Sequence, residues 1–292
     1  MPHGTYAATD DQLATLDLLL AARLATRVDR YPTLWRLELL LTTRLWDPER
    51  DAQVWLDNAS AMIGFALLTS RQPNSDSYGL ECIVHPTAPA AVLYAAMLDR
   101  ATARASTLAQ ERATPITLGA SAMRDQTALL AALAAHGFTL SSGDDGDQGN
   151  VYLARDLRAP LPVLAPPPGF TIQPFTDPAA IPAYHDLYGF APVTDAHRRH
   201  LLASPDYHHI VAVTPDGTFA AYCECSHSRA EWARGAEPTG WIDYLGTREN
   251  EQGRGLGRAA RLAGLHWLCA AGATRALLIT MASNQRADRS AL

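Results

Sequence analysis

The chain has 292 residues, of which 48% are hydrophobic and 18% charged, with a formal charge of -6. That length buries a core most readily as two domains, and the acidic balance excludes the clustered lysine and arginine by which nucleic-acid backbones are bound. Four cysteines, Cys82, Cys223, Cys225 and Cys269, are too sparse for a disulfide scaffold, and neither a signal-like start nor a membrane-length apolar run is present, so the expectation is a cytoplasmic protein without nucleic-acid or membrane partners.

In the first half, apolar residues recur at helical spacing over Asp10 to Val28 and over Thr33 to Trp46. The Leu and Trp stripe of the second run reads as core before it reads as a ligand box. AQVWLD and AMIGFALLT then predict a hairpin about Asp57 and Asn58, followed by a strand at Tyr78 to Val84 and an alanine-rich helix from Pro89 to Glu111. A strand ITLGA, a helix QTALLAALAAHGF, a polar loop and a strand VYLARDL complete a mixed sheet with helices on both faces.

The prolines of RAPLPVLAPPPG, Arg158 to Gly169, lack amide donors and mark a linker. Beyond it the order of elements repeats: a strand FTIQPF, helices at Ala179 to Tyr188 and Asp195 to Leu202, and a hairpin of HHIVAVT and TFAAYCECS. A strand GWIDYLGT, a glycine loop, a helix from Gly257 to Ala271 stopping at Gly272, and a strand RALLITM follow. Leu262, Leu265 and Cys269 are expected on the buried face of that helix. After RALLITM the second half has just Ala282 to Leu292, where the first spends Ser121 to Leu157 on a helix and a strand pair. The expected organisation is therefore an α/β (α+β mixed-sheet) fold of two tandem domains, 1–157 and 170–292, joined by the linker 158–169. The second lacks its last helix end and strand pair, leaving a sheet edge that a second copy could cover as a homodimer.

The stretch ENEQGRGLGRAARLAGLHWL places three glycines and two arginines at a helix start, and no acidic residue follows between Glu251 and Asp288. Helix-start amides have no intrahelical acceptor and carry the positive end of the helix dipole, so an anion is the expected ligand. A Walker loop is excluded because no Gly-Lys-Ser/Thr follows. Gly255, Gly257 and Ala260 fit the dinucleotide fingerprint, but the acid that should hold the ribose about twenty residues later is missing, which leaves a nicotinamide-type binder as a weak option.

Gln252, Gly255 and Gly257 form Q-x-x-G-x-G between a strand and a helix, and here the chain resembles the GNAT superfamily of N-acetyltransferases in its tandem two-domain form. The resemblance implies acetyl-CoA as co-substrate. Its pyrophosphate would lie on Gln252, Gly253, Arg254, Gly255, Leu256, Gly257 and Arg258, its pantetheine arm on the backbone of Leu245 and Thr247, and Asn284, with Ala287 in the NxxA pattern, would orient that arm. The first domain reads as a degenerate copy. It keeps CIVHP and the His136 to Phe138 HGF, but has TAPAAV in place of the loop, so little or no coenzyme binding is expected there.

An alkylammonium is deprotonated in about one molecule in two thousand at pH 7, so a base is needed. Asp243 is the candidate base, although a solvated strand aspartate is as good a reading; Trp241 stands where some relatives carry glutamate. The family's proton-donating tyrosine would fall at Ala291, with Leu133 at the equivalent place in the first half, which leaves Tyr244 as the candidate acid. The expected function is acetyl-CoA-dependent acetylation of a primary amine of a small molecule; the alternative is a non-catalytic CoA-binding or scaffolding protein. Cys223, Cys225 and His227 share a strand face but lack a fourth ligand, so packing and no metal are expected. His208 and His209 read as a strand start, and His266 as a partly exposed helix residue.

Overall fold

The structure is a computed structural model and describes residues 3–5, 10–26, 36–37, 40–41, 46–70, 74–140, 150–188 and 195–281. The chain divides into two compact units, Met1–Ser141 and Ser142–Leu292.

The first unit contains β1 (His3–Thr5), α1 (Asp10–Thr26), β2 (Ala52–Leu56), β3 (Met62–Thr69), β4 (Ser77–Val84), α2 (Ala90–Arg112), β5 (Thr117–Ala120) and α3 (Thr127–Ala135). The sheet runs β1-β2-β3-β4-β5, antiparallel except for β4 with β5. Alternation of side chains sends Trp55, Leu68 and Leu80 to a core with Leu93, Met97 and Leu98 of α2. Val54, Phe65, Leu67 and Ile83 point the other way, to Leu18, Leu19 and Ala22 of α1. Leu37 is fully buried in that second cluster, with Leu40, Leu41 and Trp46 packed against it, so the described part of the Leu and Trp stripe is core. The rest of Thr33 to Trp46 lies outside the described residues.

The second unit contains β6 (Asn150–Asp156), β7 (Thr171–Pro174), α4 (Ile181–Tyr188), α5 (Asp195–Ala203), β8 (Tyr207–Val213), β9 (Phe219–His227), α6 (Arg229–Ala233), β10 (Thr239–Thr247), α7 (Leu256–Ala271) and β11 (Arg275–Met281). Its strand order is β6-β11-β10-β9-β8-β7, with β10 and β11 parallel and every other neighbouring pair antiparallel. Residues 157–170, which hold the proline run, carry no helix or strand.

This corrects the expected boundary. VYLARDL belongs to the second sheet, not the first: Asn150 to Asp156 pair with Met281 to Arg275 along the whole length of β11. The physical reason is that β11 is a central strand whose outer edge must be hydrogen-bonded, and a strand ahead of the linker supplies the partner. The second sheet is thus not left open beyond β11, which removes the ground given for a homodimer. Residues 282–292, with Asn284, Ala287 and Ala291, lie outside the described residues.

The buried face of α7 also differs from expectation: Leu256, Ala259, Ala260, Gly264, Leu265 and Leu268 are buried, while Leu262 and Cys269 are half-buried. The helix turns by 100° per residue, so Gly264, not Leu262, faces the sheet with Ala260 and Leu268. Among the described residues, no helix is long and apolar enough to cross a membrane.

Candidate active site

The strand β10 is paired with β11 only through Thr239 to Ile242, opposite Arg275 to Leu278. Past that point it stays with β9, where Tyr244, Leu245, Gly246 and Thr247 face Glu224, Cys223, Tyr222 and Ala221. Ile242 and Tyr244 oppose consecutive residues of β9, which leaves Asp243 as the extra residue of a β-bulge. The bulge bends β10, and a gap opens between it and β11.

The backbone along this gap has no strand partner on the β11 side among the described residues. The amide of Arg248 donates to the carbonyl of Ala220 across β9 at 2.8 Å. Backbone groups alternate between neighbours in an antiparallel strand, so those of Leu245 and Thr247 point the other way, into the gap. Consistently, the Thr247 carbonyl receives Nε2 of Gln252 at 3.5 Å on that side.

Beyond Thr247, Gly253 and Gly255 both take φ of +80°, and Gly255 is the N-cap residue of α7 with no side-chain cap. A side chain rarely adopts that conformation, which is why the turn uses glycine. The first helical bond is from the amide of Ala259 to the carbonyl of Gly255, at 3.0 Å. The amides of the six residues from Gly253 to Arg258 have no acceptor among the described residues. A Cβ on Gly257 would lie 2.9 Å from Oγ1 of Thr247, so this glycine sets how closely the helix start approaches β10.

Arg258 is exposed and makes no ion pair among the described residues. Arg254 differs: Glu251 folds back to it at 3.1 Å, and its guanidinium lies over Phe170 at 5.9 Å. The expectation of a field with no acid to cancel it therefore holds for Arg258 and not for Arg254. Sequence reasoning missed Arg261, one turn on. Its Nε and Nη1 are buried with no hydrogen-bond acceptor among the described residues. Burial pushes its pKa down, and the charges of Arg258 and of Arg155 on β6 push the same way. The i, i+3 spacing of Arg258 and Arg261 was a readable signal; Arg155 was not, because its strand was assigned elsewhere.

The equivalent turn of the first unit offers fewer amides. Its amides at Ala88 and Val92 donate to the carbonyls of His85 and Pro89, that of Thr87 to Nδ1 of His85, and Pro89 has no amide.

The sheet face opposite α7 carries a polar cluster that the sequence did not reveal. Glu224 and Arg198 are both about 1% exposed, and the carboxylate accepts from Arg198 at 2.6 Å, from Tyr184 at 2.8 Å and from the hydroxyl of Tyr207. These bonds tie α4, α5 and β8 to β9. Tyr244 shares this face, packed with the cluster of Phe175, Tyr184 and Tyr222, and burial followed by the Glu224 charge pushes the Tyr222 phenol up. Asp243 and Tyr244 are thus adjacent to the gap and both half-buried. Trp241 is buried on the same face, edge-on to Tyr152.

On the α7 face, Cys223 and Cys225 are fully buried 3.5 Å apart, and His227 is stacked between Trp232 and Trp267. Among the described residues no group of three or more His, Cys, Asp or Glu is placed to hold a metal. His208 and His209 open β8, and His266 bonds the carbonyl of Pro162 at 2.8 Å.

Residues 176–290 match the model of the acetyltransferase (GNAT) family. Among solved structures, a GCN5-related N-acetyltransferase from Sphaerobacter thermophilus superposes with a TM-score of 0.65 at 17% identity, over 99% of this chain and 90% of that one. A tandem GNAT protein from the clavulanic acid biosynthesis pathway gives 0.70 at 16%, over 99% and 93%. The glucosamine N-acetyltransferase region of a fungal multi-domain GH3 β-N-acetylglucosaminidase gives 0.60 at 17%, over 94% of this chain and 35% of that one. No curated protein matches the sequence significantly. Residues 176–290 are therefore a match to the GNAT family of acetyltransferases, and the chain as a whole has the fold of tandem GNAT proteins.

Proposed function

We propose that the second unit binds acetyl-CoA and transfers the acetyl group to a primary amine of a small molecule, as an N-acetyltransferase. The observation that carries this reading is the run of six amides, Gly253 to Arg258, with no acceptor among the described residues, set beside an open strand edge. A diphosphate meets the amides and Arg258, and an amide-bearing arm meets the backbone of Thr247 and Leu245. Arg155 and Arg261 add charge for a ligand with further phosphates. Asn284 is proposed to orient the arm, and Asp243 to accept the ammonium proton, directly or through water. All four cysteines are free thiols, which suits a reducing, cytoplasmic setting.

The test is thermal stabilisation by acetyl-CoA, CoA and NAD, since a ligand at a hundred times its Kd adds about 2.7 kcal/mol. Acetyl-CoA and CoA should stabilise; a response to NAD alone would overturn the reading. Gly255→Asp should abolish the response. The nearest atom to its Cβ would be Pro167 Cγ at 3.9 Å, so no clash arises, and Gly255→Asn, which carries the same strain at positive φ without the charge, should keep a larger response. Amine-dependent thiol release would then separate an enzyme from a non-catalytic CoA-binding protein, which stays silent with every amine.

A further inference from the structure

Acyl transfer needs a proton for the departing sulfur, and the geometry points to Tyr152, on the strand that precedes the linker, as its donor. The inference rests on the acyl-transfer reading of the second unit.

An arm anchored at the loop and paired with the outward groups of Thr247 and Leu245 runs back along β10 toward Asp243. The four steps from Thr247 to Asp243 span about 13 Å at the usual strand rise. It can go no further between the strands, because β10 and β11 rejoin at Ile242 and Leu278. On the β11 side of that closed end the next residue is Ile279, and its partner across β6 is Tyr152.

Side-chain alternation then fixes the face. Leu278 packs with Ile242, Leu265 and Leu268 in the core beneath α7, and Leu153 is its cross-strand partner on β6, so Leu153 and Leu278 point to the α7 side. Tyr152 and Ile279, one residue along, point to the opposite side. Trp241 lies there too, its ring meeting that of Tyr152 at 6.2 Å and 72°. Tyr244 is on the same face, on the β10 side of the gap. The end of the arm is therefore flanked by two phenols, and they differ in setting. Both are half-buried, but Tyr244 packs against the cluster of Tyr184 and Tyr222, whereas Tyr152 lies against Trp241 at the level where the gap closes.

In the reaction the amine lone pair forms the C–N bond at the thioester carbon and the C–S bond breaks, its electron pair going to sulfur. The sulfur takes the phenolic proton of Tyr152, the excess proton on nitrogen passes to Asp243 or to water, and the phenolate regains a proton from solvent. Phenol and thiol have ordinary pKa values of about 10 and 8.5, close enough for transfer as the bond breaks.

The experiment compares wild type and Tyr152→Phe in the full chain, with acetyl-CoA affinity by calorimetry and thiol release with an amine that wild type accepts. We expect kcat to fall about a hundredfold with Kd within twofold, and the high-pH decline of kcat expected of wild type to be absent from the variant. A fluorinated tyrosine incorporated at 152, whose phenol is more acidic, should move that decline to lower pH. An unchanged kcat, an unchanged pH profile in both variants, or a loss of acetyl-CoA affinity equal to the loss of rate would overturn the assignment. Silence of wild type with every amine would instead overturn the acyl-transfer reading, and Tyr152 with it.

Discussion

Gly264 is the residue on which the packing of α7 against the second sheet turns. A Cβ there would sit 2.4 Å from Sγ of Cys225 and 3.1 Å from Sγ of Cys223, both fully buried. Sulfur atoms at the centre of a sheet have nowhere to move, so Gly264→Ala should destabilise by about 1–3 kcal/mol in spite of the helix propensity it gains. Cys225→Ala in the same chain removes the obstructing atom. The double variant should therefore be more stable than the sum of the single effects predicts, and strictly additive unfolding free energies from urea titration would refute the contact. The same residue scale shows why the sequence could be read at the loop and not at its charge balance. Glycines at a helix start announce positive φ, but nothing in the letters says that Glu251 will turn back onto Arg254.

At the scale of elements, most strands and helices were legible, because hydrophobic period and turn residues act locally. The hairpins, the long α2, and the order of strand, glycine loop and α7 all follow from such signals. Illegible was the pairing of β6, since VYLARDL reads as a strand wherever it goes and its partner lies over a hundred residues away. Tyr152 and Arg155 escaped notice for that same reason, as did Glu224 and Arg198, whose contact depends on tertiary packing. The pairing makes a direct prediction. A fragment beginning at residue 142 should fold and bind acetyl-CoA, whereas one beginning at residue 170, at the end of the proline run, leaves the outer edge of β11 bare. The shorter fragment should show lost near-ultraviolet circular dichroism and aggregate. Equal cooperative unfolding of both would show that β6 is dispensable.

For the molecule as a whole, three histidines that are buried or half-buried contribute to the response to pH. His185, His208 and His227 all lie in the second unit and all have pKa values below the ordinary 6.5, in each case chiefly because burial disfavours the cation. For His185 the Arg198 charge adds to this, and Asp195, at 3.4 Å, opposes it. For His208 the addition comes from His209. For His227, Asp206 at 3.4 Å opposes the burial effect and Arg229 reinforces it. A depressed histidine stays neutral in the fold, so below pH about 6.5 the unfolded chain takes up protons that the native state does not. Stability is then lost as the pH falls through that value toward the folded pKa values, and is level with respect to these groups above it. His136 in the first unit has the opposite sign. Its pKa is raised by the Ala132 carbonyl and by Asp99, so its contribution is full in acid and lost as pH rises; Asp99 is 74% exposed, and solvent screening keeps that term small. Glu81 in the first unit, its pKa raised by burial against the charge of Arg36, likewise adds stability in acid, so the loss between pH 7 and pH 5, read as a falling thermal midpoint, is expected of the second unit. Trp232 and Trp267, which sandwich His227, should report it by fluorescence. His227→Phe keeps the stacked rings and removes one titrating group, so its midpoint should fall less steeply over the same range. A variant slope as steep as that of wild type would show that the charge taken up on unfolding is not His227.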